Sequence, residues 1–280
     1  DPSMSLLHIF LLSVVQAVTE FLPISSSGHL LLLHNMFGDG DAWGESLIMD
    51  LAVHVGTLAA VVVYFRRDII QMIVGLLRFV TGNLEKPEDH HAKNIALFII
   101  AGSVPALIAG LALSVIQPEW LRSVHVVTAT TIVFGALLWW VDARMPQQKT
   151  LESMTLKDAI WIGLAQMLAL VPGTSRSGIT MTAARWLGFS RTQAARYSFL
   201  LSIVATSAAG AIGALKLVKS GDLALAQEAG LAAGITFLTA LLVIAGLLKF
   251  LQRFSFKIFG IYRLALGVAL IAMIYMGLLT

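Results

Sequence analysis

Six stretches of the chain run apolar for close to the roughly 20 residues that an α-helix needs to cross a hydrocarbon core. They are Leu47–Phe65, Ile95–Ile116, Val124–Val141, Tyr197–Leu217, Ala229–Leu251 and Ile258–Leu279. None alternates polar and apolar residues as a half-buried strand would. Helices also satisfy their own backbone groups where no water is at hand. The pattern therefore predicts an all-α polytopic membrane protein with about six transmembrane helices. Two further apolar stretches, His8–Leu33 and Ile160–Leu187, are interrupted midway by proline, serine and glycine. The first interruption reads FLPISSSGHLLL, from Phe21 to Leu32. Neither stretch offers an unbroken run long enough to span.

Composition removes the main competing class. Of 280 residues, 58% are hydrophobic and only 12% are charged, against about 25% charged in soluble domains. The net charge of +3 does not point to nucleic acid. The basic residues sit beside apolar spans (Arg66, Arg67; Lys249, Arg253, Lys257), where topology and anionic lipid account for them. The chain has no cysteine, which excludes disulfides, thiolate metal sites and thiol nucleophiles. Asp1-Pro2-Ser3 ahead of Met4 reads as an appended remnant and is set aside.

The two interrupted stretches resemble each other. Gln16, Gly28 and Gly38 recur as Gln166, Gly178 and Gly188, each 150 positions later. Pro23-Ile-Ser-Ser-Ser-Gly recurs as Pro172-Gly-Thr-Ser-Arg-Ser-Gly, with one residue of slack. Paired interrupted segments in corresponding halves point to a binding site built from discontinuous helices. The expectation is one integral membrane domain of two inverted repeats, about 4–141 and 154–280, each with a re-entrant helix–loop–helix hairpin. Loop charge agrees with this. Asn35–Ser46 carries Asp39, Asp41 and Glu45 without a Lys or Arg and reads as external. Arg66–Lys93 holds Arg66, Arg67, Arg78, Lys86 and Lys93 and reads as cytoplasmic, with Ile69–Val80 as an interfacial helix. Lys216 and Lys219 then fall outside, against the rule.

The side chains at the interruptions can carry chemistry. Gln16 and Glu20 are four apart and share a helix face, and a carboxylate at membrane depth is by default a functional candidate. Ser25, Ser26, Ser27, Gly28 and His29 bring hydroxyls, mobile backbone and an imidazole within five positions. The second tip, Gly173-Thr-Ser-Arg-Ser-Gly178, sets Arg176 among Thr174, Ser175, Ser177 and Gly178. A guanidinium fork among hydroxyls and free N–H groups suits a phosphate; an ion pair with Glu20 is the plainer alternative. Asp50 and His54, four apart, read as supports, a proton path or an interfacial pair. Arg185, Arg191 and Arg196 read as headgroup contacts, His90 and His91 as a solvated loop, and Trp139 and Trp140 beside Asp142 and Arg144 as an interfacial belt.

QAVTEFLPISSSGH, PGTSRSG and HVGTLAAVVVYFRR resemble the motifs of the bacterial undecaprenyl-pyrophosphate phosphatase family, also called the bacitracin-resistance protein family, and the likeness runs from Met4 to the C-terminus. The resemblance implies removal of one phosphate from undecaprenyl pyrophosphate, giving the monophosphate lipid carrier of cell-wall synthesis. It implies dependence on a divalent cation, Mg²⁺ or Ca²⁺, with Glu20 as the carboxylate offered to it. It assigns Ser26 and His29 the catalytic serine and histidine, and Arg176 the phosphate-binding arginine. Gln16 departs from members that carry glutamate there, although the motif tolerates glutamine, and this puts in doubt a mechanism that needs two carboxylate metal ligands from this face. Whether Ser26, His29 or an activated water makes the first bond to phosphorus stays open.

The expected partners are the prenyl pyrophosphate lipid and membrane lipids, not nucleic acid, with a homodimer allowed, in the bacterial inner membrane. A transporter or lipid flippase is the competing reading, because the same architecture supplies a midplane site without chemistry.

Overall fold

The structure is a computed structural model that describes residues 5–37, 45–84, 86–116 and 118–279. Asp1-Pro2-Ser3, the acidic loop through Asp39 and Asp41, and the repeat anchor Gly38 lie outside the described residues. Eleven α-helices follow in order among those described: α1 (Leu6–Phe21), α2 (Ser26–Phe37), α3 (Glu45–Tyr64), α4 (Arg66–Val80), α5 (Pro87–Ile116), α6 (Val124–Arg144), α7 (Leu156–Met167), α8 (Arg176–Trp186), α9 (Arg191–Ser220), α10 (Leu223–Leu251) and α11 (Lys257–Tyr275). Short 3₁₀ turns and one isolated bridge, Lys149 to Phe189, are the remaining regular structure described.

Local chemistry sets several of these boundaries. Thr155 and Asp158 form a reciprocal capping box at the start of α7, leaving two fewer orphan N–H groups. Gly221 turns left-handed (φ 66°) to end α9, and Asp222 at once accepts from the N–H groups of Ala224 and Leu225 to open α10.

Among the described residues, five helices, α5, α6, α9, α10 and α11, are long and apolar enough to cross a membrane. Their outer faces hold exposed Ile108, Leu238, Leu242 and Val268. Gln16, Thr131, Ser198, Arg185 and Arg263 are buried within the bundle. Apolar outside with polar groups sequestered inside is what a lipid solvent selects. The chain is thus an all-α, multi-pass membrane protein. The main packing layer joins α3 to α10 and α9, with α1 also against α10; α11 lies along α6, and α7 along α5. At Gly163 a Cβ would come within 2.5 Å of the Gly102 carbonyl oxygen, so the α5–α7 crossing depends on two small residues.

Three expectations at the rim need correction. Arg185 does not face headgroups: it is fully buried, its Nε 2.8 Å from Asp142 Oδ1 and its Nη atoms on the carbonyls of Pro146, Phe189, Asp142 and Met145. Arg191 joins the same carboxylate at 2.9 Å, and the Phe256 N–H donates to its Oδ2. Asp142 therefore belongs to a buried tie between α6, α8, α9 and the start of α11, not to an interfacial belt; Trp140, ring to ring with Trp186, and Arg144 keep exposed faces. Arg196 pairs with Asp68 of α4. His90 and His91 are not in a loop: Pro87 starts α5 early, which places both in its first turns.

Candidate active site

Both interrupted stretches resolve into two helices around a short turn, and the turns share a backbone device. Ser25 and Ser175, 150 positions apart, are the described non-glycine residues with positive φ, at 75° and 71°. A hydroxyl-bearing residue in this region is strained and persists only where its surroundings fix it. Each immediately precedes a helix, so Ser26 and Arg176 both occupy the first residue of one, α2 and α8. Each also lies near the serine two positions on: Ser25 Oγ to Ser27 Oγ is 3.2 Å, and Ser175 Oγ to Ser177 Oγ is 3.3 Å.

Ser27 and Ser177 clasp the tips together. The Gly173 N–H of tip two donates to Ser27 Oγ at 2.8 Å, while Ser177 Oγ donates to the Leu22 carbonyl of tip one at 3.1 Å. Equivalent serines thus bind the opposite turn's backbone, satisfying groups that no helix serves. Gly173 (φ 88°) packs so closely that a Cβ would run into the Val127 carbonyl and Thr130 Oγ1. Thr130 Oγ1 donates to the Pro172 carbonyl at 2.6 Å.

Glu20 and Arg176 meet across the tips. Arg176 Nη2 lies 2.9 Å from Glu20 Oε1, and its Nη1 lies 3.2 Å from the Ser198 carbonyl. Gln16 Nε2 donates to Glu20 Oε2 at 3.1 Å. His54 Nε2 approaches Gln16 Nε2 at 3.3 Å and Glu20 Oε2 at 3.9 Å, while its Nδ1 bonds the Asp50 carbonyl. His54 thus stands beside the acid, with its partner on the Asp50 backbone. Gln16 Oε1 is buried with no hydrogen-bond partner. No group of three or more His, Asp or Glu side chains gathers among the described residues.

The other expected residues divide by accessibility. Ser25 and Thr174 are fully buried, and Gly28 and Gly178 lie in the first turns of α2 and α8. Among the described residues Ser26 Oγ has no hydrogen-bond partner, and the residue is half-buried. His29 contacts neither Glu20 nor Ser26 by hydrogen bond; its nitrogens go to the Ser25 carbonyl and to Tyr262. Two residues of α11 at the tips escaped sequence reading, Tyr262 and Arg263. Arg263 is fully buried and donates to the carbonyls of Thr131, Thr130 and Gly173. An arginine inside the apolar run Ile258–Leu279 was the available signal, by the rule that singled out Glu20.

Two helix N-termini carrying a hydroxyl and a guanidinium form a ready site for a polyanion. Comparison with known proteins places the chain in a family. The family described as Bacitracin resistance protein BacA matches residues 9–269. The chain belongs to this family. Among its relatives, Undecaprenyl-diphosphatase of Saccharophagus degradans is 45% identical over 97% of this chain and 99% of its own length. Proteins of the same name from Hahella chejuensis and Jannaschia sp. are 45% and 42% identical, covering 98% and 97% of this chain and each relative in full.

Proposed function

We infer that the chain is a membrane-embedded phosphatase that hydrolyses undecaprenyl pyrophosphate to undecaprenyl phosphate and inorganic phosphate. The lipid carrier is thereby returned to cell-wall synthesis, and bacitracin resistance follows from the same activity. The observation that carries this reading is Arg176 of tip two held against Glu20 of tip one, with Ser26 and its partner-free hydroxyl opening α2 on tip one.

The incoming pyrophosphate takes the Arg176 fork from Glu20, exchanging one anion for another at a preorganised cation. Ser26 attacks the terminal phosphorus in line, undecaprenyl phosphate leaves with the bridging oxygen, and the hydroxyl proton passes to a departing phosphate oxygen. Water then releases phosphate from Ser26, with His29 handling the proton. The N-termini of α2 and α8 stabilise charge on the transferring oxygens. The donor set at Gln16 and Glu20 fits a hard divalent ion: a carboxylate adjoins an unpartnered amide oxygen, and such ions complete their shells with water and substrate phosphate. When bound, Mg²⁺ or Ca²⁺ would neutralise pyrophosphate charge at that face.

The matched φ values and serine contacts of the tips support two inverted repeats, with α1–α2 and α7–α8 as re-entrant hairpins and α3 as the sixth span. The setting is the bacterial inner membrane.

The test is phosphate release by purified protein from undecaprenyl pyrophosphate with added divalent ion. Wild type turns over, and Ser26→Ala and Arg176→Ala do not; full turnover in both variants would refute the assignment. Lipid translocation draws on the same pair of tips. Flux in proteoliposomes that persists in Ser26→Ala would establish it as a second activity.

A further inference from the structure

His29 is the imidazole of the two tips, and both its nitrogens are engaged. Nδ1 lies 2.6 Å from the Ser25 carbonyl oxygen, and Nε2 lies 2.6 Å from the Tyr262 hydroxyl. A carbonyl oxygen can only accept, so Nδ1 carries the proton. In the neutral ring Nε2 is then bare, and the Tyr262 O–H donates to it. The two rings are nearly parallel, 6° apart in plane with centroids 5.6 Å apart, which fixes the imidazole plane as well as its tautomer. The Ser25 carbonyl is itself held by the strained turn (φ 75°).

Tyr262 does not act alone on the tips. Its neighbour Arg263 donates to the Gly173 carbonyl of tip two at 2.8 Å. Two consecutive residues of α11 therefore reach the two tips separately, one side chain to each. A helix packed along α6 and anchored at both turns can hold a small imidazole to a fraction of an ångström, as proton transfer requires.

We propose that Tyr262 is a positioning residue for phosphoryl transfer: with the Nδ1–H tautomer set by the Ser25 carbonyl, its hydroxyl holds the imidazole plane through Nε2 until the reacting water displaces it and gives its proton to that nitrogen. The inference rests on the phosphatase reading above and adds to it the working nitrogen and the residue that holds its ring.

The experiment uses the full chain in detergent micelles, with histidine labelled by ¹⁵N and the His29 signals assigned by their loss in His29→Gln. Wild type should show His29 protonated at Nδ1. Tyr262→Phe, which keeps the ring and removes the hydroxyl, should leave Nδ1 protonated and move the Nε2 signal to that of a nitrogen without a hydrogen bond. Its kcat should fall roughly five- to tenfold, the worth of one hydrogen bond, with KM nearly unchanged. In the His29→Gln background Tyr262→Phe should cost nothing further.

A wild-type ring protonated mainly at Nε2 overturns the proposal whatever the variants do. So does Tyr262→Phe with wild-type kcat and an unchanged Nε2 signal, or an equal loss in both backgrounds. If wild type releases no phosphate at all, the activity reading fails instead, while the ¹⁵N measurement still decides the contact.

Discussion

The two tips fold alike and differ most in chemistry where their backbones agree best. In each, a serine with φ near 70° precedes a helix and a second serine bonds the opposite turn. The first helical residue is Ser26 in one and Arg176 in the other. Glu20 and His29 belong to the first tip, and the matching positions around the second are apolar. One backbone device, used twice, supplies an uncharged hydroxyl and a permanent cation to the same space. On the proposed reading, tip one performs the chemistry and tip two holds the charge.

The comparison is broken most severely at its two unlike residues. Ser26→Ala and Arg176→Ala should each lower phosphate release by roughly 10³-fold or more, measured as kcat/KM. Arg176→Lys keeps the charge but loses the fork that reaches Glu20 and the Ser198 carbonyl together. It should cost roughly 10- to 100-fold in the same assay, because a point charge does not replace a bidentate donor.

The like features should respond in stability rather than chemistry. Gly173→Ala meets both the positive φ and the Val127 carbonyl. It should destabilise by about 3 kcal/mol or more, read as a lowered melting temperature in detergent. Ser27→Ala and Ser177→Ala each remove one clasp bond and should cost about 1 kcal/mol apiece. Unequal losses would mean that the clasp is not shared evenly. As a control away from the tips, Arg196→Ala breaks the half-exposed pair with Asp68 and should change stability by less than about 1 kcal/mol.

The apolar spans were legible because their length alone matches a bilayer, and both tips because proline, glycine and serine interrupt those runs. Glu20 and Arg176 stood out as charges in such surroundings. Other features were hidden for a physical reason: they depend on pairings remote in sequence. Asp142 and Arg185 lie 43 positions apart, and beside tryptophans or basic residues each reads as surface chemistry. Only the packing of α6 against α8 turns them into a buried tie. Tyr262 lies 233 positions from His29, and a lone tyrosine in an apolar run reads as an interfacial anchor. The resemblance assigns catalytic roles to both Ser26 and His29, which are near in chain. The helical turn instead sends the His29 Nδ1 back to the Ser25 carbonyl, four residues earlier.

The division of labour between the tips is tested most directly by a quenched single turnover. Undecaprenyl pyrophosphate labelled in its terminal phosphate would be mixed with excess protein, stopped within one turnover, and the labelled residue mapped by mass spectrometry. The label is expected on Ser26 in wild type and absent in Arg176→Ala. Label on His29, turnover with no labelled residue, or undiminished labelling of Ser26 without Arg176 would contradict the account.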